Sequence, residues 1–304
     1  MLATAPFTDP DWTAKGEPRA RVALRSLDTL WLATGTLCNL TCTNCYIESS
    51  PTNDRLAYLT RADAQAFLDE INRDHLPTRL IGLTGGEPFM NPDIIGILSD
   101  LLGAGLEALV LTNAMTPMRH HRDALLALRS DRLHLRVSVD HFTPERHEAE
   151  RGSRSWQPMI DGLKWLSSYG FDLAVAGRTF SGESETALRA GYAALFAANQ
   201  IAVDAADPNR LVLFPEMDPA KPVPEISTAC WDILGTTPDA QMCATSRMVV
   251  RRKGAKAPTV VACTLLPYDA QFDLGPTLAT AAHDVPLNHP HCARFCVLGG
   301  GSCG

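Results

Sequence analysis

Apolar positions along this chain fall into two alternating textures from residue 28 onward. Short, β-prone apolar runs recur at 28–34, 79–84, 107–112, 133–139, 171–177 and 210–214. Between them, 61–74, 92–104, 117–129, 156–169 and 184–199 carry apolar side chains at helical spacing, as Leu163 and Leu166 do three residues apart. Buried strands alternating with amphipathic helices predict an α/β fold, a partial (β/α)6 TIM-like barrel of parallel strands joined by crossover helices. Right-handed crossovers bring the loops after the strands to one mouth, where ligands of such folds sit.

The pattern breaks at both ends. Residues 1–27 hold three prolines and little periodicity, and read as an N-terminal arm. After about 216 the alternation stops and Pro219, Pro222 and Pro224 mark a linker. Six of the nine cysteines then follow, at 230, 243, 263, 292, 296 and 303. The expected organisation is an arm over 1–27, a barrel over 28–215 and a small cysteine-rich extension over 216–304.

Composition adds exclusions. At 45% hydrophobic and 20% charged the chain has the make-up of a globular protein, and a net charge of −7 offers no electrostatic reason for a nucleic-acid partner. One basic cluster, Arg247, Arg251, Arg252, Lys253 and Lys256, reads as a solvated hairpin flank rather than an anion site. No run approaches the 18 or so apolar residues of a membrane span, and the start lacks a basic-then-apolar export signal, so a cytoplasmic protein is expected. An odd number of cysteines in a chain read this way points to thiols kept reduced for metal.

The densest chemistry follows the first predicted strand. Cys38, Cys42 and Cys45 stand in C-x3-C-x2-C spacing, followed directly by Tyr46. Three thiols in one loop can wrap a soft metal centre while leaving one coordination position without a nearby ligand. A structural zinc site wants four ligands, whereas an iron–sulfur cluster can hold three thiolates and keep one iron open; a zinc knuckle borrowing a distant ligand is the competing reading. The second strand ends in Thr84-Gly85-Gly86-Glu87-Pro88, where two glycines permit close main-chain approach to a ligand and Pro88 stiffens the exit. The third runs into Thr112-Asn113-Ala114, and the fourth into Ser138-Val139-Asp140, then His147 and Arg151-Gly152. Arg178 closes the fifth.

This series resembles the radical SAM superfamily: the cysteine loop, its aromatic neighbour, and a GGEP loop one β/α unit later. Ala114 stands where the family's Thr-Asn-Gly has glycine. The resemblance implies a 4Fe-4S cluster on Cys38, Cys42 and Cys45 whose free iron chelates S-adenosylmethionine. It implies that Gly85, Gly86, Glu87 and Pro88 form the loop meeting the cofactor's amino group, with Asn113, Ser138 and Arg151 as further cofactor-binding candidates. Arg151 would pair with the methionine carboxylate in the bidentate way guanidinium favours.

Toward the C-terminus, Cys243 and Cys263 flank two β-like runs, 248–250 and 259–262, around Gly254, a hairpin with a thiol at each end. Cys292, Cys296 and Cys303 follow. This layout resembles the SPASM or Twitch extension, which implies a second, auxiliary 4Fe-4S cluster on Cys243, Cys263, Cys292 and Cys296, with Cys303 the rival for the last place. A structural zinc site is the alternative here too. Cys230 reads as a packed core thiol. The histidines 120, 121, 283, 289 and 291 read as ordinary surface or core groups, with His291 beside Cys292 the one worth testing.

The implied activity is reductive cleavage of S-adenosylmethionine to a 5'-deoxyadenosyl radical that abstracts a substrate hydrogen, with the electron supplied by a flavodoxin- or ferredoxin-type reductant. An auxiliary cluster would accept the second electron of an oxidation. The arrangement is similar to sulfatase-maturing enzymes, but Thr264 follows Cys263 where those carry an acidic residue, so a base would come from Glu216, Asp218 or Asp269. With an arm too short for a leader-binding domain, a small metabolite is the favoured substrate and a peptide the alternative. A non-catalytic iron–sulfur scaffold or electron carrier is the reading from another class, and it has no use for a GGEP loop.

Overall fold

The computed structural model describes residues 5–216 and 221–301. After the short strand β1 (Arg21–Val22), six strands appear where expected: β2 (Thr29–Ala33), β3 (Leu80–Thr84), β4 (Glu107–Thr112), β5 (Leu133–Ser138), β6 (Asp172–Arg178) and β7 (Leu211–Phe214). They pair in sequence order, all parallel, and the array stays open as a partial barrel.

Crossover helices cover this sheet. Helix α1 (Arg61–Arg73) starts at a capping box: the Thr60 hydroxyl accepts from the Asp63 N–H and the Asp63 carboxylate accepts from the Thr60 N–H. It buries Ala64, Phe67, Leu68 and Ile71, one stripe at helical spacing. Helix α2 (Ile94–Gly103) follows β3. The single helix expected over 117–129 is broken into α3 (Thr116–Arg119) and α4 (Arg122–Leu128). The chain turns at His121, whose ring nitrogen Nε2 meets the Phe89 carbonyl at 3.2 Å. Helix α5 (Pro144–Arg151) was not anticipated, because its buried face is His147 and Glu150 rather than an apolar stripe; Pro144 in its first turn was the available signal. Helices α6 (Trp156–Ser168) and α7 (Glu185–Asn199) complete the layer.

Beyond the barrel come α8 (Cys230–Leu234), β8 (Ser246–Val250), β9 (Thr259–Val261), β10 (Asp273–Gly275) and β11 (Val285–Pro286). The expected hairpin forms as β8 and β9, antiparallel. It also joins the barrel: β8 lies parallel to β2, with Leu30 opposite Arg247, so the sheet runs β10-β9-β8-β2-β3-β4-β5-β6-β7. Every residue of β8 is buried. Arg247 is therefore no solvated flank; it is 1% exposed, while Arg251, Arg252 and Lys253 each pair with an aspartate, at Asp63, Asp273 and Asp54. The arm is tied in as well, by β1 pairing with β11 and by a buried Arg19–Glu225 ion pair of 2.5 Å.

Packing at the sheet centre is tight. A Cβ on Gly82 of β3 would lie 2.3 Å from the Trp31 ring on β2, so the indole occupies the space that glycine vacates.

Candidate functional site

All six barrel strands point their carboxyl ends at one cleft of about 200 Å³. Cys38, Cys42 and Cys45 line it from the loop after β2, and Gly85, Gly86 and Glu87 from the loop after β3. Asn113 comes from the loop after β4, Ser138 from the end of β5, and Arg151 from the end of α5. Pro88 does not reach the cleft; it is buried as the first residue of a 3-10 turn capped by Glu87.

Both glycines of the GGEP loop, besides lining the cleft, make room for a contact between loops. A Cβ on Gly85 would stand 2.3 Å from the Gly35 carbonyl oxygen, and one on Gly86 2.1 Å from that of Leu37. The Gly86 N–H donates to Gly35 O at 2.8 Å and the Glu87 N–H to Leu37 O at 3.2 Å. The close approach is thus between this loop and the stretch leading into the cysteines, and Gly85 adds a φ of +131° that other residues avoid. Ala114 likewise sits at a φ of 56°, the left-handed region, where the family pattern has glycine.

Glu87 is the buried joint of the site. Its carboxylate accepts from the Thr112 hydroxyl and the Asn113 N–H, each at 2.8 Å, and from the Phe89 N–H at 3.2 Å. Burial nevertheless lifts its pKa to about 7, because desolvation outweighs the three donors. Asn113 in turn donates to the Asn39 side chain inside the cysteine loop at 2.9 Å.

Arg151 is already engaged. Its Nε and Nη2 meet the two Asp140 oxygens at 2.9 and 3.1 Å, so a cofactor carboxylate would meet only its remaining N–H groups. Burial works against its charge, but Asp140 and the nearby thiols hold its pKa above the ordinary arginine value. His147 is buried with both ring nitrogens lacking a hydrogen-bond partner among the described residues, packs edge-on to Trp156 at 5.4 Å, and is held neutral by burial with a pKa of about 4.

A second network ties the cysteine loop to the far side of the mouth. Glu150 accepts from Asn44 Nδ2 at 3.1 Å and from Arg178 Nη1 at 2.8 Å, and Arg178 Nη2 reaches Glu216 at 2.9 Å. Sequence reading passed over Glu150, Asn44, Arg136, Phe214, Leu265 and Phe295, although all but Glu150 line the cleft. Glu150 adjoins Arg151, Asn44 lies inside the cysteine loop, Phe295 directly precedes Cys296 and Leu265 lies two residues past Cys263; those positions were the available pointers. Of the proposed bases, Glu216 is committed to Arg178, Asp269 caps a turn by accepting from the Gln271 N–H at 3.1 Å, and Asp218 lies outside the described residues.

Cys243, Cys263, Cys292 and Cys296 line one smaller cavity, together with His291. Leu265 lines this cavity and the main cleft alike. Phe295, between Cys292 and Cys296, stacks on Phe214 at the end of β7 with ring centroids 5.7 Å apart. Cys303 lies outside the described residues, and Cys230, expected in the core, is half-buried on α8 beside Ser227. His120 is exposed, and His283 Nδ1 lies 3.1 Å from the Asp284 carbonyl oxygen.

The donor sets fit iron–sulfur centres. Burial pushes the Cys38 thiol up to about 12, with Glu87, Cys42 and Cys45 adding to it, and raises Cys42 as well. Cys243 is raised to about 11 by burial, and Cys292 is raised by burial and then by Cys263 and Cys243. Crowded thiols of this kind stay protonated alone and give up protons when they bind metal. Among the described residues no three ligating side chains are gathered tightly enough for a single ion. The sulfurs of Cys38, Cys42 and Cys45 line the cleft and those of Cys243, Cys263, Cys292 and Cys296 the smaller cavity, and thiolates are the usual ligands of iron–sulfur clusters.

Comparison with known proteins gives a consistent picture. The chain is 31% identical over 144 residues to the antilisterial bacteriocin subtilosin biosynthesis protein AlbA of Bacillus subtilis, covering 47% of this chain and 31% of that protein. It is 31% identical over 173 residues to GTP 3',8-cyclase 1 of Mycobacterium tuberculosis, covering 54% and 47%. The chain thus spans about a third to a half of the length of these curated relatives. Among solved structures, Streptococcus suis SuiB bound to precursor peptide SuiA shares the fold, with a TM-score of 0.60 at 14% identity over 88% of this chain and 66% of that one. No helix among the described residues is long and apolar enough to cross a membrane. Residues 32–188, more than half of the chain, match the radical SAM superfamily description, and the chain belongs to that superfamily, whose members bind a 4Fe-4S cluster and S-adenosylmethionine.

Proposed function

We propose that this protein is a two-centre radical SAM oxidase. Cys38, Cys42 and Cys45 would hold the cluster that binds S-adenosylmethionine, and Cys243, Cys263, Cys292 and Cys296 a second one. When bound, the first centre supplies the electron that splits S-adenosylmethionine into methionine and a 5'-deoxyadenosyl radical, and the second supplies an electron acceptor for the substrate. The chain's own residues position and exclude. Glu87 locks the loops after β2, β3 and β4 together, Arg151 presents its remaining N–H groups to a carboxylate, and Leu265, Phe214 and Phe295 give the cleft an apolar wall.

The observation that carries this reading is Leu265, one side chain shared by the walls of both cavities, so a substrate in the cleft would be one residue from the second centre. The modest cleft volume, about 200 Å³, supports a small metabolite as substrate. A peptide substrate is the second reading, supported by the likeness to a bacteriocin biosynthesis protein.

Anaerobic reconstitution tests the proposal. About eight irons per chain are expected. Dithionite and S-adenosylmethionine should then yield 5'-deoxyadenosine, and Cys42→Ala should abolish it. A colourless protein that binds zinc, or an iron-loaded one that leaves S-adenosylmethionine intact, would refute the reading.

A further inference from the structure

Arg247 on β8 is among the largest fully buried side chains of the protein, yet no carboxylate pairs with it among the described residues. Its guanidinium is held only by main-chain carbonyls: Nε donates to Ala281 at 3.0 Å, Nη1 to Cys243 at 2.6 Å and Ser246 at 2.8 Å, and Nη2 to His283 at 2.9 Å. Carbonyl dipoles satisfy the N–H groups but carry no net charge, and a buried cation without a counter-ion is strongly destabilising. The neighbouring cations Arg251, Arg252 and Lys253 do not share the difficulty, since each pairs with an aspartate. Arg247 Nη1 donates to the main chain of Cys243 itself, and the β8–β9 register that sets Met248 opposite Val261 brings Arg247 level with the chain entering Cys263.

On binding metal those thiols become thiolates. Four thiolates around an iron–sulfur core leave it with net negative charge, which a one-electron reduction increases without breaking any bond to the protein. We propose that Arg247 is the counter-charge of the four-thiol centre and raises its reduction potential, making that centre the better electron acceptor. The inference rests on the two-centre reading above. Backbone topology explains why it escapes the sequence: parallel pairing of β8 with β2 buries what reads as one member of a surface basic cluster.

Full-length chain carrying Cys38→Ala, Cys42→Ala and Cys45→Ala isolates the second centre, whose potential is read by an EPR-monitored redox titration with dithionite. In this background Arg247→Gln keeps hydrogen-bond donors for the carbonyls but removes the charge, and Arg247→Lys keeps the charge. The glutamine variant is expected to lose at least tenfold in the reduction equilibrium, equal to 59 mV for one electron. The lysine variant is expected to stay within threefold of the parent. An unmoved glutamine variant with its iron intact overturns the proposal, as does a lysine variant shifted tenfold. Should the glutamine chain not fold, Arg247→Met, which also removes the charge, is judged by the same tenfold criterion. About four irons in the parent with an unmoved potential would sink this inference only, whereas no iron in the parent would sink the two-centre reading and this inference with it.

Discussion

Gly86→Ala should detach the loop after β3 from the cysteine loop. The new methyl carbon would stand 2.1 Å from the Leu37 carbonyl oxygen, 2.6 Å from its carbon and 3.0 Å from the Thr36 oxygen, all main-chain atoms that cannot rotate away. Relief requires the two loops to separate, which breaks the Gly86–Gly35 and Glu87–Leu37 hydrogen bonds. Two such bonds are worth about 2 kcal/mol together and the residual strain of overpacking about 1 kcal/mol or more. The expected destabilisation of about 3 kcal/mol is roughly a hundredfold in the folding equilibrium. Denaturant unfolding of the metal-free protein measures it, and iron uptake at the first centre should fall in parallel because Cys38 follows Leu37 directly. A loss below about 0.5 kcal/mol, the scale of a bland surface change, would refute the claim that these glycines exist for loop-to-loop contact.

Glu87 makes the metal-free protein less stable as pH rises. Its folded pKa, about 7, lies above the ordinary carboxylate value of 4.5, so the folded state holds a proton that the unfolded state has lost between those values. Stability should therefore fall by about 3 kcal/mol from pH 4.5 to pH 7, a slope that Glu87→Gln removes; parallel profiles of the two proteins in urea would contradict it. Arg151→Met leaves the buried Asp140 carboxylate without its fork and should cost about 3 to 5 kcal/mol, with part recovered in the double variant with Asp140→Asn; a single-variant cost under 1 kcal/mol would show the pair to be incidental. Cys292→Ala should reduce iron by about half while S-adenosylmethionine cleavage survives, and retention of the full iron complement would remove Cys292 from the second centre.

Much of the barrel was legible because its signal is local. A fully buried parallel strand must be continuously apolar, and a crossover helix must alternate, so β2 to β7 and the helices α1, α2, α6 and α7 are written in the order of residue types. The same holds for the first cysteine loop and the GGEP loop, whose chemistry depends on spacing within a few residues. Helix α5 fell outside this logic: it buries a histidine and a glutamate, which no apolar period reveals.

Contacts between distant segments were decided only by the fold. Sequence alone determined that the chain carries three closely spaced thiols, a second distant set and a parallel sheet. It did not determine that β8 would complete the barrel sheet, that Arg247 would be sealed inside, that Arg151 would be taken up by Asp140, or that Leu265 would stand between the two cavities. The physical reason is that periodicity reports how a segment meets its own surroundings, inside or outside. Which segments become those surroundings depends on burial and charge pairing summed over the whole chain, and that sum exists only once the chain has folded.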